Sequence, residues 1–189
     1  MSRRAFKDRL YYDWVLYVAV VIVSAAGWYF IFGLFNAPAP TETVNVFFAG
    51  EVIDDSLAKK GTDALKDKGV RLVEIASCRT DDDRFSTKYT VVGLSGCNVV
   101  VAPLSIAEKT DCADSFLEIE GFDDVYRQNG TAYGAFLPDS AKEALSGHFK
   151  FSEERYVVFV VESADGAAGE TINENALAFL RWLISYGEN

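Results

Sequence analysis

The chain is short of basic residues, of cysteine and of histidine. Its 189 residues hold 18 Lys and Arg against 28 Asp and Glu, a formal net charge of −10. A nucleic-acid binder needs clustered cations to displace counterions from phosphate, so nucleic acid is excluded as a partner. The same acidity repels an anionic membrane surface, and the folded part should stand off the bilayer. Cysteine occurs only as Cys78, Cys97 and Cys112, with no Cys-x-x-Cys pair, which excludes a thioredoxin-type couple and a CxxC zinc knuckle. The one histidine, His148, lies in a polar Gly-His-Phe-Lys stretch without a nucleophile pattern and reads as a surface residue. Gly93-Leu94-Ser95-Gly96 lacks the glycine spacing of a nucleophile elbow. Asp81-Asp82-Asp83 lacks the EF-hand spacing and its terminal Glu, and reads as a solvated acidic loop. Asn129-Gly130-Thr131 matches a glycosylation sequon and, as readily, a turn. The expectation is a protein that is not an enzyme, with no cofactor and no metal site.

Charge of either sign is missing from Trp14 to Phe35, a run of 22 residues. As a helix it is about 33 Å long, enough to cross a hydrocarbon core of about 30 Å. Residues 1–13 carry Arg3, Arg4, Lys7 and Arg9 against Asp8 and Asp13, a net of +2, whereas the remaining 14 basic and 26 acidic residues leave −12. The positive-inside rule then keeps residues 1–13 in the cytoplasm and sends the larger part outside. A cleaved signal peptide is the competing reading, because Ala37-Pro38-Ala39 mimics a cleavage motif. Against it, the apolar run exceeds a signal core of about 7–15 residues, it carries bulky aromatics, and Pro40 would follow the scissile bond. The expectation is a single-pass cell-membrane protein with an uncleaved anchor at 14–35.

Proline is scarce too, and two of the four fall within residues 36–43, NAPAPTET, which reads as a short semi-rigid linker. The remainder, 44–189, has the size of one domain. Val44 to Ala49 reads as a strand, and Asp54 or Asp55 can cap a helix with Leu57, Gly61, Ala64 and Leu65 on one face and Gly69 at its end. Val70 to Ser77 is a second strand. A helix presenting Phe85, Tyr89, Val92 and Gly93 leads to a third, Asn98 to Ala102, stopped by Pro103. Such continuous apolar runs suit parallel strands covered on both faces, joined by right-handed crossovers. Beyond them the pattern predicts helices over 105–110, 122–128 and 139–145, strands over 131–137 and 156–161, and a last helix opening on the capping box Thr171-Ile172-Asn173-Glu174.

The strand VNVFFAG, the segment GCNVVVAPLSIAEKTDCADSFLEIEGF, the stretch YGAFLP, and RYVVFVVESADG followed by ENALAFLRWL together resemble the first lobe of type 2 periplasmic solute-binding proteins of ABC importers. The layout with its YYDWxLY start is similar to that of single-span proteins of Gram-positive bacteria. The resemblance implies an α/β domain with a mostly parallel sheet in three layers. It also implies an extracytoplasmic binding or interaction module accessory to an ABC-type transporter, with another envelope protein as partner and no identified small ligand. The alternative is an extracytoplasmic enzyme with its site on the same loops.

One departure limits the resemblance. Only 16 residues separate Pro138 from Arg155, too few for a second lobe, so what remains is a half-site at the carboxyl ends of the parallel strands, where open α/β sheets bind ligands. Those loops hold the candidate ligand-binding residues Glu51, Ser77, Asp81 and Ser105. For the cysteines two readings stay open, a Cys97–Cys112 disulfide or three partly buried thiols.

Overall fold

The computed structural model describes residues 3–164 and 166–187, with the side chains of 3–13 and 34–36 excepted. The side chains of the basic flank therefore lie outside the described residues. The chain divides into two compact units, residues 1–37 and 38–189. The first is one helix, α1 (Arg3–Asn36). Its segment Trp14–Gly33 has a mean hydropathy of 2.2 and is long and apolar enough to cross a membrane. Every side chain described in that segment is exposed, so no protein core buries its apolar surface.

The second unit is α/β. Its strands are β1 (Thr43–Ala49), β2 (Glu51–Val52), β3 (Leu72–Cys78), β4 (Val99–Pro103), β5 (Val125–Gln128), β6 (Thr131–Phe136), β7 (Phe149–Lys150) and β8 (Tyr156–Val160). Six of them form one sheet in the order β3-β1-β4-β8-β6-β5, while β2 and β7 form a separate ribbon. The sheet is mixed. β1 pairs in parallel with β3 and β4, but β4–β8, β8–β6 and β6–β5 are all antiparallel. The mostly parallel sheet expected from the sequence is thus corrected to a parallel half and an antiparallel half. Apolar runs mark strands buried on both faces whichever way they run, so the run Tyr156–Val160, fully buried, carried no sign of its direction.

The helices are α2 (Ser56–Leu65), α3 (Phe85–Lys88, continued as a π-helical turn Tyr89–Leu94), α4 (Leu104–Ala107), α5 (Asp139–Leu145) and α6 (Gly166–Ile184). Strand alternation sorts the core into two layers. Val44, Val46, Phe48, Val99, Val101, Val158 and Val160 meet α2, α5 and α6 through Leu57, Leu145, Phe179, Leu180 and Leu183. On the other face Phe47, Ala49, Val100, Ala102, Val157 and Phe159 meet Phe85, Tyr89, Ala107 and Phe116. The π-helical turn passes close to the sheet at Gly93, where a Cβ would stand 3.3 Å from the Phe47 ring.

Several local expectations change. Residues 122–128 do not form a helix, since Val125–Gln128 is a strand. Asn129 at φ 53° and Gly130 at φ 91° make the left-handed pair of a tight hairpin turn into β6, and this signal outranks helical spacing over so few residues. The helix expected over 105–110 is the four-residue α4. The last helix begins at Gly166 rather than at Thr171. Thr171 lies inside it and donates to the Ala167 carbonyl (3.2 Å). The side chain of Asn173 accepts from the Ser163 amide (3.0 Å) and so ties the helix to the preceding loop. The linker is only partly a linker: Pro40–Glu42 is a 3₁₀ turn, held to the domain where Asn175 Nδ2 donates to the Thr41 carbonyl (2.8 Å) and Arg71 pairs with Glu42 (3.2 Å). At the start of α2, Asp54 rather than Asp55 supplies the side-chain acceptor, taking the Ser56 amide (3.2 Å).

Candidate functional site

β1 lies between β3 and β4, and the two crossovers run on opposite faces of the sheet, α2 joining β1 to β3 and α3 joining β3 to β4. Where such connections diverge, the carboxyl end of the strand is left open as a crevice. A cleft of about 310 Å³ occupies that position, lined by Gly50, Glu51, Arg79, Asp81, Phe151 and Tyr156 among others. β1 and β3 deliver Glu51 and Asp81 at their ends, the ribbon β2–β7 forms one wall, and β8 enters from the same edge because it runs antiparallel to β4.

The floor is aromatic. Phe48 stacks on Phe149 with ring centroids 4.0 Å apart, and Phe151 meets Tyr156 edge-on at 4.9 Å. Gly50 is required here, because a Cβ would approach the Phe48 ring to 2.5 Å. Lys142 donates to the carbonyls of Ser152 (2.8 Å) and Glu154 (2.9 Å), with its ammonium 5.6 Å from the centre of the Tyr156 ring. That arrangement fixes the turn between β7 and β8.

The rim is charged and internally paired. Arg79 donates to both oxygens of Asp81, at 3.0 and 2.6 Å. This fork holds the Asp81 carboxyl below its ordinary range. Lys150 lies 3.8 Å from Glu51. Beside them Asp82 accepts the Arg84 amide (2.8 Å), which likewise keeps its carboxyl low. Of the four candidate residues, Glu51 and Asp81 line the cleft, and Ser77 and Ser105 do not. Ser77 is exposed on the edge strand β3, and the Ser105 amide donates to Glu154 (3.0 Å). Sequence reasoning missed Arg79, Lys150, Phe151 and Tyr156. Arg79 stood in the acidic loop it neutralises, but nothing in the sequence brought the 150–156 segment to the end of β1.

His148 corrects a further expectation. It is 8% exposed rather than a surface residue, and it sits in a polar cluster. Its Nδ1 lies 3.0 Å from Asp54 Oδ2 and 3.4 Å from Ser56 Oγ. Its Nε2 lies 3.1 Å from Lys60 Nζ and 3.4 Å from Tyr186 Oη. A Ser-His-Asp relay needs the acid and the hydroxyl on opposite ring nitrogens. Here both face Nδ1, so the cluster is not built to activate Ser56.

The Cys97–Cys112 bridge is not formed, and all three cysteines are buried and free. Burial pushes the Cys97 and Cys112 thiols up to about 11 and raises that of Cys78. Thiols held this way are inert hydrophobes rather than nucleophiles. Among the described residues no group of three or more His, Cys, Asp and Glu is placed to hold a metal ion.

No protein-family model matches the chain, and no curated protein matches it.

Proposed function

We propose that this protein is a membrane-tethered binding module: α1 is an uncleaved anchor, and the cleft at the carboxyl end of β1 is the face that meets its partner. The observation that supports this most directly is the pairing of an aromatic floor, Phe151 and Tyr156, with two ion pairs, Arg79–Asp81 and Glu51–Lys150, around one crevice. Aromatic anchors beside charged groups of both signs are the chemistry of recognition surfaces. The cleft opens on one side only of any small ligand, so a second wall must come from elsewhere. An envelope protein is the natural source, and an ABC-type permease is the one the family resemblance implies. The extracytoplasmic enzyme is the weaker reading, because in the His148 cluster the Ser56 hydroxyl and the Asp54 carboxylate share one ring nitrogen and cannot act as a relay.

The test is site-specific photocrosslinking in intact cells. A photoreactive residue at Thr80, on the cleft rim, should trap a discrete envelope protein. The same residue at Asn129 should not, since the β5–β6 hairpin tip lies at the opposite end of the sheet. Equal labelling from both positions, or none from Thr80, would refute the assignment of the face.

A further inference from the structure

We propose that Asp54, Lys60, His148 and Tyr186 form a proton-operated clasp: with a neutral imidazole, Lys60 joins His148 to Tyr186, and on acidification Lys60 is expelled and the imidazolium holds Tyr186 itself.

The geometry defines the first state. An ammonium group has donors and no acceptor, so the 3.1 Å contact from Lys60 Nζ requires a lone pair on His148 Nε2. The ring proton is then on Nδ1, facing Asp54 Oδ2 at 3.0 Å. Asp54 is ready to accept it, because the Ser56 hydroxyl and amide hold its carboxyl below the ordinary range. Lys60 also donates to Tyr186 Oη (3.0 Å). Lys60, His148 and Asp54 thus form one donor chain from cation to anion, across a ring that is almost fully buried.

A second proton can go only to Nε2. There it meets the ammonium, donor against donor, with two positive charges 3.1 Å apart. Lys60 is exposed and free to leave, whereas His148 is held by its backbone: its carbonyl takes the amides of Ile53 (2.8 Å) and Asp54 (3.3 Å), and its own amide donates to Leu145 (2.9 Å). Once Lys60 departs, Tyr186 Oη at 3.4 Å is the acceptor left for Nε2–H. The groups facing the ring are Asp54 from the turn before α2, Ser56 and Lys60 from α2, and Tyr186 from the turn after α6. The end of α5 meets His148 through its backbone, where the Leu145 carbonyl accepts the His148 amide (2.9 Å). The exchange is a consequence of the donor count at Nε2. It changes how the end of α6 is tied to α2, beside the ribbon that walls the cleft.

The chain has a single histidine, so ¹⁵N-histidine labelling of the full-length protein in nanodiscs reports on His148 alone. At pH 7.5 the parent should show the Nδ1–H tautomer. Lys60→Met should keep the Nδ1–H tautomer, which Asp54 still holds, and move the titration to higher pH, because the competing cation is gone. Tyr186→Phe should move it to lower pH, because the imidazolium loses its acceptor. Lys60 and Tyr186 lie at the surface end of the cluster, and an unchanged amide spectrum away from it checks that both variants fold. An Nε2–H tautomer in the parent at pH 7.5, or a Lys60→Met variant with the parent's titration, would overturn the clasp.

Discussion

Gly134 of β6 lies opposite Phe159 of β8 in the antiparallel register, and the Phe159 ring fills the space that a Cβ at 134 would take, at 2.8 Å. Val157 closes the same space from the other side, at 2.6 Å. Glycine ordinarily weakens a strand, and here its lack of a side chain is what lets two aromatic rings, Phe159 and Phe116, stack at 4.3 Å. Gly134→Ala should therefore destabilise the domain by about 1–3 kcal/mol through overpacking. A denaturant midpoint equal to that of the parent would show that the neighbouring side chains yield without cost.

The opposite kind of defect is expected at Leu180, fully buried where α6 crosses the sheet. Leu180→Ala should cost about 2–5 kcal/mol as a cavity substitution. Val100→Asp, in the central strand β4 with 0% exposure, strands a charge in the core and should prevent folding. Thermal and urea unfolding of the two variants measure both effects.

The buried thiols impose an alkaline limit on stability. Cys97 and Cys112 are raised from an ordinary 9.0 to about 11 by burial, so folding favours the neutral form. A raised folded-state value contributes stability that is complete below pH 9.0 and lost as pH rises through about 11. The urea midpoint should fall across that window, and less steeply in Cys112→Ala. At pH 8 the native protein should react slowly with a thiolate-trapping reagent and the urea-unfolded protein quickly.

A cleft of about 310 Å³ that is open on one side cannot bury most of a small ligand's surface, so the area needed to offset lost translational freedom is missing. Sugars, amino acids and short peptides should bind the full-length protein in nanodiscs only weakly. Calorimetry that returned submicromolar affinity would restore a receptor that acts alone.

If α1 is an uncleaved anchor with residues 1–13 in the cytoplasm, protease added to spheroplasts should digest the folded unit and spare the N-terminus. A protected domain would reverse the orientation, and a mature N-terminus at Pro40 would replace the anchor with a signal peptide.

Much of the fold was legible along the chain because the relevant signals are local. Charge-free length marks α1, the Lys66–Gly69 end with Gly69 at φ 87° terminates α2, and apolar runs rich in valine and aromatics mark β1, β4 and β8. The Asn129-Gly130 pair was equally visible, but a pair of this kind ends a helix as readily as it turns a hairpin, and pairing with β6 decided for the strand. Strand direction and neighbours were decided only by tertiary packing. The run at β8 pairs as readily in either sense, and its antiparallel place beside β4 brings Tyr156 to the cleft. The same holds for the polar groups. A histidine in a Gly-His-Phe-Lys stretch carries no mark of the lysine 88 positions away or the aspartate 94 positions away that meet it. Composition and periodicity set which face of an element is buried, whereas contacts between distant residues depend on how those faces close on one another, and that is a property of the folded chain alone.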